Sequence, residues 1–299
     1  LHRNLAAAQA RQQEYLETLF LSGLSTSLAY QGRTAEARAA VQKAKAASTV
    51  WRDAPVLEFE VQGLWLEGDL TTAVERAEEI LGWNPDGLSR RRAVGMAFAG
   101  MAAMEIGRLD AARRYVDLAV SAYEGRIYAQ WLDVSLQADG VLLAREGHPN
   151  RAIETLEAAC ARLANNGFRP NATMALTDLA DVAAVLGDAE LAARAAASAA
   201  EVVGGIDRDC YRGLALLAGT SAALAADLED EAAEHARDAV KVLSRTGWRI
   251  FHGRALDGLG RALRASDRAA AREAFDEAIA VFEVCDAVWR RDRALEARP

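Results

Sequence analysis

Leu179-Ala180-Asp181-Val182-Ala183-Ala184-Val185-Leu186-Gly187-Asp188-Ala189-Glu190-Leu191-Ala192, continuing to Ala199, is the stretch on which the fold turns. Small aliphatic residues run up to a Gly and resume at once beyond it. Glycine is the favoured residue just past a helix end, so the segment reads as a helix, a tight turn and a second helix. The same turn recurs along the chain as Gln31-Gly32-Arg33, Glu67-Gly68-Asp69, Ile106-Gly107-Arg108 and Glu146-Gly147-His148, with degenerate versions at Ala226-Asp227-Leu228 and Ala265-Ser266-Asp267. The centres are 36, 39, 40, 40, 40 and 39 residues apart. Such regular self-similarity marks a repeat architecture.

Five residues after each centre stands an alanine: Ala37, Ala73, Ala112, Ala152, Ala192, Ala232 and Ala271. Seven residues further come Ala44, Ile80, Ala119, Ala159, Ala199, Ala239 and Ala278. A small side chain is required where two helices approach closely, because a larger one overpacks the contact. Additional breakers fall midway, at Gly87, Gly125, Gly167, Gly205 and Gly247, and cut the chain into single helices joined by short connections. Pro55 and Pro149 stand near helix starts, where a missing N–H costs little. The second helix of the third unit places Ala112, Val116, Ala119 and Val120 on one face and Arg113, Arg114 and Asp117 on the other. The loops at 83–87 and 165–170 are rich in Asn, Gly and Pro, the chemistry of turns. Proline is absent between Pro170 and Pro299, and no period-two alternation is visible. The expectation is an all-α solenoid of about seven antiparallel helix pairs with a period near 40, wound as a right-handed superhelix. Its units fall approximately at 12–50, 54–87, 88–125, 126–167, 168–205, 206–247 and 248–288, with 289–299 as a tail.

The pattern of a Gly-Asp or Gly-Arg turn, Ala five residues later and Ala seven after that resembles the second half of the tetratricopeptide repeat. It departs from it in its longer period and in the replacement of large aromatics by Leu, Val and Ala. Leu259-Gly260-Arg261-Ala262-Leu263, Ala270-Ala271-Arg272-Glu273-Ala274, Ala278-Ile279-Ala280-Val281-Phe282 and Trp289-Arg290-Arg291 are similar to the last repeat of the large ATP-dependent LuxR-type, MalT-like bacterial regulators. That resemblance implies the sensor or scaffold solenoid of a signal-responsive transcription regulator, with a nucleotide-binding domain before it and a DNA-binding domain after it. Related repeats also follow cyclase and kinase domains, which leaves a self-association scaffold as the alternative. The chain begins with Leu1 rather than Met, so the expectation is a segment of a longer protein.

Function classes are limited by charge and composition. Among 299 residues, Lys and Arg number 35 and Asp and Glu 43, a net charge of −8. Such a balance argues against a direct nucleic-acid surface or an anionic membrane surface. No apolar window is long enough to span a bilayer and no signal peptide is visible, so a cytoplasmic location is expected. Cys160, Cys210 and Cys285 are widely separated and read as small buried hydrophobes. His2, His148, His235 and His252 have no ligand spacing, so no metal site is expected. Gly258-Leu259-Gly260 lacks a third glycine and a preceding strand, and reads as helix packing rather than a phosphate loop. No catalytic constellation or cofactor motif is legible, and the expectation is a non-enzyme. The runs Arg90-Arg91-Arg92 and Arg290-Arg291-Asp292-Arg293 read as a solvated helix start and a solvated helix end.

The tetratricopeptide resemblance implies that the first helix of each pair lines a concave wall. Mapped here, that wall carries Tyr30, Glu58, Gln62, Trp65, Met101, Glu105, Gln137, Arg145, Thr177 and Asp181. Trp65 or Tyr30 on such a wall serves either as an anchor for a bound partner or as packing between repeats. The expected occupant is a peptide, a protein domain or a small inducer, with self-association as a homo-oligomer the other partner reading.

Overall fold

The computed structural model describes residues 3, 14–47, 56–82, 90–122, 132–206 and 208–299. The loop at 83–87, Gly87, Gly125 and Pro55 lie outside them. Among the described residues there are fifteen helices and no strand. They form seven consecutive pairs: α1 (Glu14–Tyr30) and α2 (Thr34–Ala47), α3 (Val56–Glu67) and α4 (Leu70–Gly82), α5 (Arg90–Ile106) and α6 (Leu109–Ser121), α7 (Leu132–Arg145) and α8 (Pro149–Asn165), α9 (Arg169–Val185) and α10 (Ala189–Val203), α11 (Asp209–Ala225) and α12 (Glu229–Leu243), α13 (Arg249–Leu263) and α14 (Arg268–Val284). A final helix, α15 (Val288–Ala297), packs against α14 and reaches across to α5.

Each pair is joined by the turn read from the sequence. Gly32, Gly68, Gly107, Gly147 and Gly187 have φ between 74° and 88°, the left-handed region in which a Cβ is penalised. The chain there closes as a Schellman-type cap. Gly187 N–H donates to Ala184 O and Asp188 N–H to Ala183 O, at 3.1 and 2.9 Å. The Asp188 side chain then accepts from Leu191 N–H and starts α10. In the sixth turn Asp227 takes the left-handed position itself, with φ 56°. The seventh turn is built differently: Asp267 caps α14 by accepting from Ala269 and Ala270 N–H, at 3.1 and 3.0 Å.

The fourteen repeat positions, Ala37 to Ala271 and Ala44 to Ala278 with Ile80, are all buried. The facing helix is small as well. A Cβ on Gly100 would lie 2.7 Å from Val116 Cγ2, and one on Gly140 would lie 2.6 Å from Leu156 Cγ. Gly260 likewise faces Phe275, which makes Gly258-Leu259-Gly260 a helix-packing element. The second helices bury one stripe, such as Ala152, Leu156, Ala159 and Leu163 in α8. The first helices bury residues around most of their circumference, as α9 does from Asn171 to Ala183. They stack on one another, α1 on α3, α3 on α5, and so on to α13, and form the inner layer. Cys160, Cys210 and Cys285 are buried and unbridged, and burial pushes each thiol up to about 12.

The inner layer curls until its two ends meet. Gly247 N–H donates to Gly32 O at 2.9 Å, and Trp248, fully buried, donates from Nε1 to Ala29 O at 2.8 Å. Trp65 of α3 packs edge-on against Phe251 of α13, with ring centroids 5.6 Å apart. Thr71 of α4 donates to Asp286 at 2.9 Å. One apolar cluster reaches from Leu28 in α1 to Ala297 in α15, and a second joins α8, α9, α10 and α11.

Candidate functional site

This closure decides the fate of the wall residues. Trp65 is 6% exposed and wedged between Phe98 and Phe251, so of its two readings packing between helices is the one realised, and its place as an anchor in a groove is corrected. Tyr30, Glu58, Gln62, Met101, Glu105, Gln137 and Thr177 are buried too. Trp65 is covered by Phe251 from the far end of the chain and Glu105 by Arg290 of α15, whereas Gln62, Gln137 and Thr177 are taken up by the adjacent units, through Tyr30, Asp178 and Leu214. Tyr30 donates to Asn171 Oδ1 at 2.6 Å and accepts from Gln62 Nε2, which ties the first, second and fifth units together. Burial raises the Tyr30 phenol well above its ordinary value. Thr177 Oγ1 lies 2.8 Å from Thr173 O and 3.1 Å from Leu214 O. Met101 belongs to the core.

Arg145 and Asp181 remain at an open cavity of about 470 Å³. Its walls come from α7, α9, α11, α13 and α15, with Pro149 from α8 and Phe282 from α14. Five arginines line it, Arg145, Arg254, Arg261, Arg290 and Arg293, against three aspartates, Asp178, Asp181 and Asp257. A protein of net charge −8 thus carries an interior pocket rich in guanidinium groups. The rest of the lining is largely apolar, including Val182, Leu217 and Leu224, and at the edge Val185 and Leu186, which are 67% and 44% exposed.

The charges are organised by α15. Trp289 gathers three guanidinium groups, with Arg145, Arg293 and Arg290 at 3.6, 4.7 and 5.4 Å from its ring centroid. Behind them Glu105 is shared: Arg145 Nη2 and Arg290 Nη2 each lie 2.9 Å from its Oε1. Burial alone would raise the Glu105 carboxyl, but Arg145 and Arg290 outweigh it and hold the group below its ordinary value. Burial, with Arg290 adding repulsion, pulls Arg145 down to about 10, so it stays charged at neutral pH. Arg254 bridges Asp178, at 3.0 Å, and Asp181. Gln137 also donates to Asp178, at 2.8 Å; burial nevertheless raises the Asp178 carboxyl. Asp181 is held low, its burial outweighed by Arg254 and by the Ser221 hydroxyl. Arg261 pairs with Asp257 at 2.8 Å. Arg293 forms no ion pair among the described residues.

Two expectations change here. The run at 290–293 is not a solvated helix end throughout: Arg291 pairs with Asp292 at the surface, whereas Arg290 and Arg293 line the cavity. The last unit, to which no wall residue was assigned from the sequence, supplies Arg254, Asp257 and Arg261 from α13. The missed signal was their spacing, Arg254-x-x-Asp257-x-x-x-Arg261, which places charges on one stripe of an otherwise inner, apolar helix. Each carboxylate of the cavity is engaged by an arginine, an arrangement suited to recognition. Among the described residues no cluster of three or more His, Cys, Asp or Glu is arranged for a metal ion, and no helix is long and apolar enough to cross a membrane.

Neither a family model nor a curated protein matches this sequence. Solved structures do resemble its fold. A Rap protein complexed with competence and sporulation factor superposes with a TM-score of 0.66 at 13% identity, over 93% of this chain and 79% of that one. The Cut9–Hcn1 hetero-tetramer of the APC/C superposes with a TM-score of 0.59 at 16% identity, over 95% of this chain. The chain spans 52% of the length of that relative. Taken with the seven helix pairs and their shared turn, these likenesses give the chain the fold of a tetratricopeptide-type α-solenoid.

Proposed function

We infer that this chain is a non-enzymatic recognition module that takes a peptide, a segment of a partner protein or a small inducer into its interior. The observation that carries the reading is the cavity of about 470 Å³, which falls in the size range of ligand sites, roughly 300–1,000 Å³. It combines an apolar lining with a surplus of guanidinium groups. The Rap structure of similar fold is complexed with competence and sporulation factor, and Cut9 with Hcn1, which supports peptide or protein binding on this kind of scaffold. In its finer form the reading is the sensor segment of a bacterial, cytoplasmic, signal-responsive regulator of the LuxR type. The similarity of residues 259–291 to the last repeat of those regulators supports it.

A thermal-shift screen of the whole chain against peptides and metabolites tests the reading. A ligand at a hundredfold its dissociation constant stabilises the folded state by about 2.7 kcal/mol, a clear rise in melting temperature. No response across the screen, together with a molecular mass that grows with protein concentration, would favour the self-association scaffold instead.

A further inference from the structure

Five guanidinium groups at the cavity meet four carboxylates, counting Glu105 behind them. Arg145 and Arg290 share Glu105, Arg254 sits between Asp178 and Asp181, and Arg261 has Asp257. Arg293 is left over. It is half-buried beside the Trp289 ring; burial first, then repulsion from Arg261 and Arg290, disfavours its charge, and Asp257 and Asp181 offset only part of this without forming an ion pair with it. The side chain of Arg290 also holds a buried Nε with no hydrogen-bond partner. A partly desolvated cation without an ion-pair partner is costly, and an anionic group offers it charge-assisted hydrogen bonds. The same cavity is also lined by Val182, Val185, Leu186, Leu217 and Leu224 from α9 and α11 and the turn after α9, and Val185 and Leu186 are exposed.

We propose that the cavity binds an apolar monocarboxylate, its carboxylate on Arg293 beside Trp289 and its apolar body on the Val185–Leu186 edge. Such a ligand spans from α15 to α9 and so pins the last helix to the middle of the solenoid. This rests on reading the interior as a binding site and adds the ligand's chemistry to it. Two sources offer that chemistry, a small aliphatic or aryl acid and the free C-terminus of a hydrophobic peptide.

The test uses the full chain, calorimetry and thermal shift, with sodium chloride at matched ionic strength as baseline. One arm compares 4-phenylbutyrate with its amide, the other a hydrophobic tripeptide with a free C-terminus against the same tripeptide amidated. The acids are expected to bind and to raise the melting temperature, and the amides to bind at least tenfold more weakly. The tighter acid identifies the source. Arg293→Gln should weaken the acids at least tenfold, Arg293→Lys should restore part of the loss, and Arg291→Gln should change nothing. Because Arg293 has no ion pair to lose, Arg293→Gln should keep the wild-type circular dichroism. Equal binding of acid and amide, unchanged acid binding by Arg293→Gln, or no binding of either acid would overturn the proposal. Tight binding of the amides would do so while leaving the recognition module standing.

Discussion

At the scale of single residues the sequence was most legible, because the repeat imposes the same steric demand seven times. Ala152 is fully buried against α7, where Gly140 answers it from the facing helix. Ala152→Leu is expected to destabilise by about 1–3 kcal/mol through overpacking, read from the urea midpoint at unchanged m. The turn glycines separate a local cost from a distant one. Gly187 has φ 74° and open space around its would-be Cβ, so Gly187→Ala should cost only the left-handed backbone penalty, about 1 kcal/mol. Gly32 has φ 75°, but its Cβ would stand 2.6 Å from Cys210 Sγ in the sixth unit. Gly32→Ala should therefore cost clearly more, in the same denaturation measurement. That second contribution was invisible in the sequence: the motif around Gly32 reads like its siblings and names no residue 178 positions away.

Among the helices α15 was the hardest to read. It buries only Ala294 and Ala297 and has no wide apolar stripe; it docks through Trp289 and Arg290, a polar interaction that periodicity does not report. The docking depends on the ionised Glu105. Its carboxyl is held below 4.5 in the folded chain, so its contribution is present above pH 4.5 and lost as pH falls through the lower folded value. Glu105→Gln leaves Arg145 and Arg290 without their shared carboxylate and should cost about 3 kcal/mol near pH 7, the scale for breaking a buried pair. The gap between wild type and variant should narrow steadily below pH 4.5. Asp178 titrates in the opposite sense, its folded value being raised, and both proteins retain it. Stability curves from pH 3 to 7 check this; a gap independent of pH would show that Glu105 does not anchor α15 as an anion.

For the whole molecule, the fold class followed from the turn spacing, whereas the curvature that decides what is buried did not. Spacing states that equivalent helices stack; how far they curl depends on the summed geometry of many interfaces. An open solenoid exposes its inner wall, and on that basis Trp65, Gln62 and Glu105 were candidates for a groove. The missing turn glycines of the last two units also suggest faster amide exchange there than in units three to five. Closure points the other way, since Trp248 and Phe251 seal the last pair against α1 and α3. Exchange followed by mass spectrometry should show α13 as protected as α9, and Trp248→Ala should expose the slack that the sequence suggests. In a linear array each unit interacts with its neighbours alone and stability is nearly a sum of local parts; here the first and last units are neighbours as well. Lineages of open arrays lengthen and shorten by duplicating or losing a unit, because any unit can follow any other. The hydrogen bond from Gly247 to Gly32 removes that freedom between the two contacts: a further pair inserted between residues 33 and 246 would carry Trp248 away from Ala29. The number of units enclosed by that contact is thereby fixed, as blades are in a propeller, and between residues 33 and 246 insertions are expected to be tolerated at turns but not as whole repeats.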